Sequence, residues 1–198
     1  MKLNAKILIT VLGLLAFLFF IIYEAPRVPE YVPDTIFFII LTLVLLSLYK
    51  KLDLDLWCYA SFIIALLLHN AGAFGLYNIS PLPLQWDHIT HITGIFAPTL
   101  ILFRFSGKFF SAKKFNNAYI ILFTLLAALG IGVMVEFYEF AGYYIIGEGA
   151  GGLGQGEGDI VTELGNSLWL NTMLDMVFNT IGALLGMAAG FLLKYHEQ

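Results

Sequence analysis

The stretch DHITHITGIFAPTLILFRF, residues 87–105, opens on an acid and two histidines, runs through an apolar centre and closes on Arg104. An apolar run of about 20 residues is the length of one helical bilayer crossing. Polar groups at one end and a cation near the other place the two ends in different surroundings. Five further apolar stretches flank it, at 5–23, 34–49, 56–76, 117–144 and 170–193. The expected fold is therefore all-α, a polytopic membrane helix bundle of about six transmembrane helices in a single transmembrane domain over residues 1–198. If the second or third stretch lies partly in the interface, the count falls to five.

Composition agrees with this reading. Hydrophobic residues make up 60% and charged residues 12%, whereas soluble domains are roughly half apolar and about a quarter charged. Most of the surface therefore faces lipid, and the bilayer is the first expected partner; nucleic acid is not one. The lone Cys58 excludes an internal disulfide and any cysteine-rich metal motif. Lys2 and Lys6 precede the first apolar run as in a signal peptide, but Tyr23, Glu24, Ala25, Pro26 and Arg27 offer no small-x-small cleavage site. That run is read as a retained helix.

Orientation follows from the basic residues, because cytoplasmic connections hold the positive charge. With the N-terminus inside, Lys2, Lys6, Lys50, Lys51, Arg104, Lys108, Lys113, Lys114 and Lys194 all fall on the cytoplasmic side, and Arg27 alone falls outside. The expectation is a multi-pass protein of the cell (inner) membrane, N-in and C-in. Of the fourteen acidic residues only Asp53, Asp55 and Glu197 lie inside, so the outer face is acidic.

Ionisable groups inside a span cost several kcal/mol unless paired, hydrated or bound to an ion, which makes each a functional-site hypothesis. Here they converge on one level. Asp87, His88 and His91 begin the fourth span, Glu136 and Glu139 approach the outer end of the fifth, Asp175 and Asn179 begin the sixth, and His69 and Asn70 end the third. Residues three or four apart share a helix face. Asp87, His91, Gly94 and Pro98 form one stripe, Ala128, Gly132, Glu136 and Glu139 a second, and Asp175, Asn179, Gly182, Gly186 and Gly190 a third. Small residues let helix backbones approach, so the stripes are expected to be packing seams with their polar ends facing one another.

Four carboxylates in these segments, Asp87, Glu136, Glu139 and Asp175, meet no Lys or Arg there. Protonation, cationic histidines or a bound metal must offset them. Imidazole plus carboxylate is a ligand set for zinc, manganese or iron. Asp87, His88, His91, Glu136, Glu139 and Asp175 are thus the expected metal ligands of a divalent cofactor, with Glu136 or Glu139 as the catalytic base. His69, Asp159 and Asn179 are further polar site residues. The competing structural reading is a network in which each histidine bonds a carboxylate only to lock helices together.

Seven glycines between Gly147 and Asp159, with Glu148, Glu157, Asp159 and Glu163, describe an anionic external loop, read as a turn or as a lid over the cluster. Trp57, Tyr77, Trp86 and Trp169 are expected in interfacial belts, Lys113 and Lys114 as orientation signals, His196 as a solvated tail residue and Asp34 as a helix cap.

The order WDHITH, EFYEF, the Gly158-Asp159 pair and DMVFNTIGALLG from Asp175 resembles the YjdF-like predicted inner-membrane proteins and, more distantly, the VanZ-like family. The likeness spans roughly residues 30–193. It implies a multi-helix bacterial or archaeal membrane protein in which Asp87, His91, Glu136, Glu139, Asp159, Asp175 and Asn179 match the polar positions, while His88 departs from the usual pattern. The resemblance supplies no activity.

Three function classes follow. One is metal-assisted hydrolysis of a lipid or envelope-derived substrate reached from the outer leaflet. Phosphate esters fit it poorly, since Arg27 is the sole basic residue expected outside. Serine catalysis lacks a Gly-x-Ser-x-Gly element, and desaturase-type chemistry needs more histidines. The alternatives are a cation- or proton-coupled carrier, for which Thr42, Thr99 and Thr124 offer little of a pathway, and a non-catalytic envelope binding or scaffold protein.

Overall fold

A computed structural model of the protein describes residues 4–79, 84–112, 116–146, 148–149, 155–156 and 167–196. Six long helices carry it: α1 (Ala5–Glu24), α2 (Val32–Leu48), α3 (Leu56–Ala71), α4 (Trp86–Ala112), α5 (Asn117–Ile146) and α6 (Ser167–His196). Six helices are long and apolar enough to cross a membrane, the second and third counted with the 3-10 turns at Pro29–Tyr31 and Gly72–Phe74 that adjoin them. Between α5 and α6 two short strands, Glu148–Gly149 and Gln155–Gly156, pair in parallel. The rest of the 147–159 segment, with Glu157 and Asp159, lies outside the described residues, as do Glu163, Lys113 and Lys114.

Local chemistry sets the helix starts. Asn4 caps α1 by accepting from the Lys6 amide at 3.0 Å, and Asp55 caps α3 by accepting from the Cys58 amide at 2.6 Å. Gly75, at φ 84°, stops the turn after α3 in a conformation that a side chain resists. Asp34 is no cap, since Tyr31 holds that position and makes no side-chain bond there; Asp34 is instead buried in the first turn of α2.

Between lipid-facing helices there is no hydrophobic driving force, so close packing and polar contacts decide which faces meet. The tightest pairing is α4 on α6. A methyl added at Gly182 would overlap the Ile92 carbonyl, and one at Gly186 would lie 2.8 Å from both the Phe96 carbonyl oxygen and Thr99 Cβ. Gly190 lies against the Phe103 ring and Gly132 of α5 against the Asn179 side chain. The α6 and α5 stripes are packing seams as expected. On α4 the stripe meets α6 at His91, but Gly94 departs from expectation: a methyl there would meet nothing within 4 Å.

The two ends of the bundle differ in charge. Lys6 donates to the Leu54 carbonyl, Lys108 pairs with Asp53 and Arg104 with Asp55, so one end gathers cations around the α2–α3 turn. The hydrogen bond from Lys108 holds the exposed Asp53 carboxyl below its ordinary range. At the opposite end lie Glu24, Asp34, His69, Asp87, His91, Glu136 and Asp175. Trp57 and Trp169 are exposed as belt residues would be, whereas Trp86 and Tyr77 are buried against Tyr31 and Ala73; Trp86 Nε1 donates to the Leu68 carbonyl at 3.1 Å.

Candidate functional site

The site grows from two helical registers brought together by the glycine seam. On α4, Asp87 and His91 stand one turn apart, with Asp87 Oδ1 3.5 Å from His91 Nε2. On α6, Asn171, Asp175 and Asn179 stand at four-residue intervals. Because Gly182 lets α6 rest on the α4 backbone, Asp175 Oδ1 comes within 3.7 Å of the same Nε2.

The other ring nitrogen fixes the tautomer. His91 Nδ1 lies 3.1 Å from Asn179 Oδ1, and Asn179 Nδ2 donates to Glu136 Oε1 at 3.5 Å. An amide oxygen can only accept, so Nδ1 carries the hydrogen and Nε2 faces Asp87 and Asp175. Gly132 makes room for the Asn179 amide, since a methyl there would lie 3.0 Å from Nδ2. Asn171 Nδ2 donates to Asp175 Oδ2 at 2.8 Å, which turns Oδ1 toward the histidine. Two buried carboxylate oxygens, Asp87 Oδ2 and Asp175 Oδ1, have no hydrogen-bond partner.

Two groups of potential metal ligands share His91: Asp87, His91 and Asp175, and His91, Glu136 and Glu139, each with its ligand atoms within 4.8 Å of one another. In the second group Nδ1 is 3.8 Å from Glu136 Oε1 but already serves Asn179, so the first group has the freer nitrogen. His88 joins neither group. Its ring stacks on Phe178 at 4.0 Å between centroids, and its Nε2 is buried without a hydrogen-bond partner.

A cavity of about 370 Å³ adjoins this cluster. Asp87, His91, Glu139 and Asn179 line its polar end, and Leu41, Phe62, Pro98 and Ile131 are among its apolar walls. Gly94 lines it too, which explains the open space beside that residue.

Across the cavity stands a second histidine–carboxylate pair that the sequence did not single out. His69 Nε2 lies 3.4 Å from Asp34 Oδ2, and His69 Nδ1 lies 3.1 Å from the Tyr77 hydroxyl. Burial pushes the Tyr77 phenol well up from its ordinary value, so it stays protonated and serves as donor to Nδ1, leaving Nε2–H for Asp34. Behind this pair, Thr35 donates to Glu24 Oε2 at 2.7 Å and accepts from Asn70. Glu24 and Asn70 are both fully buried. Glu24 ends an apolar run, which in the sequence reads as the edge of a loop.

Comparison with known proteins fits this picture. The family model for predicted membrane proteins designated DUF2238 matches residues 6–196, nearly the whole chain. The protein belongs to the DUF2238 family. No curated protein and no solved structure matches the chain. Membership establishes a membrane protein, and the likeness to YjdF-like and VanZ-like proteins remains one of short motifs. For the DUF2238 chain, chemistry has to be argued from the site itself.

Proposed function

We propose that this DUF2238 protein is a divalent-metal-dependent hydrolase of the cell membrane, N-in and C-in, with Asp87, His91 and Asp175 as ligands on its outer side. The observation that carries the reading is the spacing about His91 Nε2, 3.5 Å to Asp87 Oδ1 and 3.7 Å to Asp175 Oδ1. Ligand atoms about 2.1 Å from a tetrahedral ion sit about 3.4 Å apart, so both distances from Nε2 match a zinc-like site, and one ligand atom from each of the three residues lies within 4.8 Å of the others. The supporting shell has the form that metal-bound histidines require, because the second ring nitrogen donates to Asn179 and Asp175 is oriented by Asn171.

An ion so held supplies a water acid enough to ionise near neutral pH. Glu139, half-buried in the cavity wall beside His91, is the base placed to take the proton, and Glu136 acts through Asn179. The outer-face assignment rests on the basic residues gathered at the opposite end. A carrier gains less support. The cavity reaches Pro98, about 10 Å below His91 along the helix, and the deeper hydroxyls Ser106 and Thr124 bond each other at 2.8 Å.

Chelator-treated protein in neutral detergent, melted with and without added zinc, manganese or iron(II), tests the proposal. A melting temperature raised by one of these ions in wild type, and unmoved in His91→Ala, is expected. An identical melt with and without every ion contradicts it.

A further inference from the structure

The polar end of the cavity is rich in acceptors: Asp34 takes His69 and the Tyr138 hydroxyl as donors and, as a carboxylate with about four acceptor positions, has room for more. Asp87 Oδ2 has no hydrogen-bond partner. Pro98, which has no N–H, removes the amide that would pair with the Gly94 carbonyl one turn below His91, and both residues line the cavity. Charge tells the same story. Five carboxylates, Asp34, Asp87, Glu136, Glu139 and Asp175, line or back this end, and among the described residues no Lys or Arg lines the cavity.

The other end is a slot for a chain. Its walls are apolar, and between α2 and α5 they are formed by Phe37 and Tyr138, whose rings stack across the gap with centroids 6.3 Å apart. Both rings are exposed on the face that meets lipid.

We propose that the cavity binds a single-chain amphiphile bearing an amine head group, drawn from the bilayer between α2 and α5. The apolar chain lies against the walls, and the ammonium donates to Asp34 and to the Gly94 carbonyl. A phosphate or carboxylate head would add negative charge to an end already rich in it, and a hydroxyl head would leave the charge unmet. The inference names the substrate class for the hydrolase reading and rests on it only in taking this cavity as the substrate's seat, because its ligands for the head group are not the metal ligands.

The test uses full-length protein in phosphatidylcholine nanodiscs and a photoreactive long-chain alkylamine, with labelled peptides mapped by mass spectrometry. Labelling of α2 and α5 beside the cavity is expected. Dodecylamine should displace the probe at a concentration roughly tenfold below that needed for dodecanol or dodecanoate, the factor one charge-assisted hydrogen bond supplies. Asp34→Asn should remove that preference while dodecanol still competes. Gly94→Phe, which fills the open space beside Gly94, should abolish cavity labelling without moving the melting temperature. Equal competition by the three compounds, or labelling that survives Gly94→Phe in folded protein, overturns the proposal. Repeating the competition in chelator separates the two readings: an amine preference that persists in protein that never takes up metal leaves this inference standing and the metal proposal refuted.

Discussion

His91 holds the site together because each of its ring nitrogens has a different task. Nδ1 donates to Asn179 and Nε2 faces two carboxylates. Removing the Asn179 support by Asn179→Leu is expected to weaken metal affinity by roughly 10–100-fold, measured by competition with a chromophoric chelator, since such supporting bonds orient the ligand. Ligation needs a neutral imidazole, so affinity should decline as pH falls and the ring takes up a proton. Affinity that is flat from neutral to acid pH would show that the histidine is no ligand. Thr35 is the corresponding hinge of the second network. Thr35→Val strands Glu24 and Asn70 in the interior and should cost on the order of 1–3 kcal/mol, read as a lower unfolding midpoint.

At the level of helices, the α4–α6 seam sets Asp87 and His91 against Asp175 and Asn179. Leucine at Gly182 or Gly186 would collide with the α4 backbone, and either variant should lose on the order of 1–3 kcal/mol or more of stability in detergent. Gly94→Ala, made in open space, should melt like wild type. Equal melting of all three variants would place the seam elsewhere. This contrast also marks what a sequence can tell. The periodicity that aligns Asp87 with His91 and Asp175 with Asn179 is a property of any helix and was readable. Gly94 sits in an identical pattern, yet it opens onto the cavity, because a stripe of small residues looks the same whether a backbone or a void lies opposite it. His88, next to Asp87 in sequence, points about 100° away from it on the helix and stacks on Phe178. Glu24 and Asp34 stayed hidden because one ends and the other begins an apolar run, where a charge ordinarily needs no partner; their burial comes from the packing of α1, α2 and α3.

Taken whole, the bundle separates its charges, with cations and their partners around the α2–α3 turn and carboxylates with histidines at the far end. Six helices with short connections were legible from apolar run lengths; the cavity was not, since it depends on how far α2 and α5 diverge. The N-in, C-in arrangement predicts that reporters fused at residues 110 and 198 are active in the cytoplasm and those at 80 and 155 outside it. Cytoplasmic activity at 155 would move the cluster to the inner side. The central claim is the ion at Asp87, His91 and Asp175, and elemental analysis of purified wild type beside His91→Ala and Asp175→Asn tests it most directly. The account predicts stoichiometric zinc, manganese or iron in wild type and its loss from both folded variants; wild type that is metal-free, folded and unchanged by chelator would contradict it.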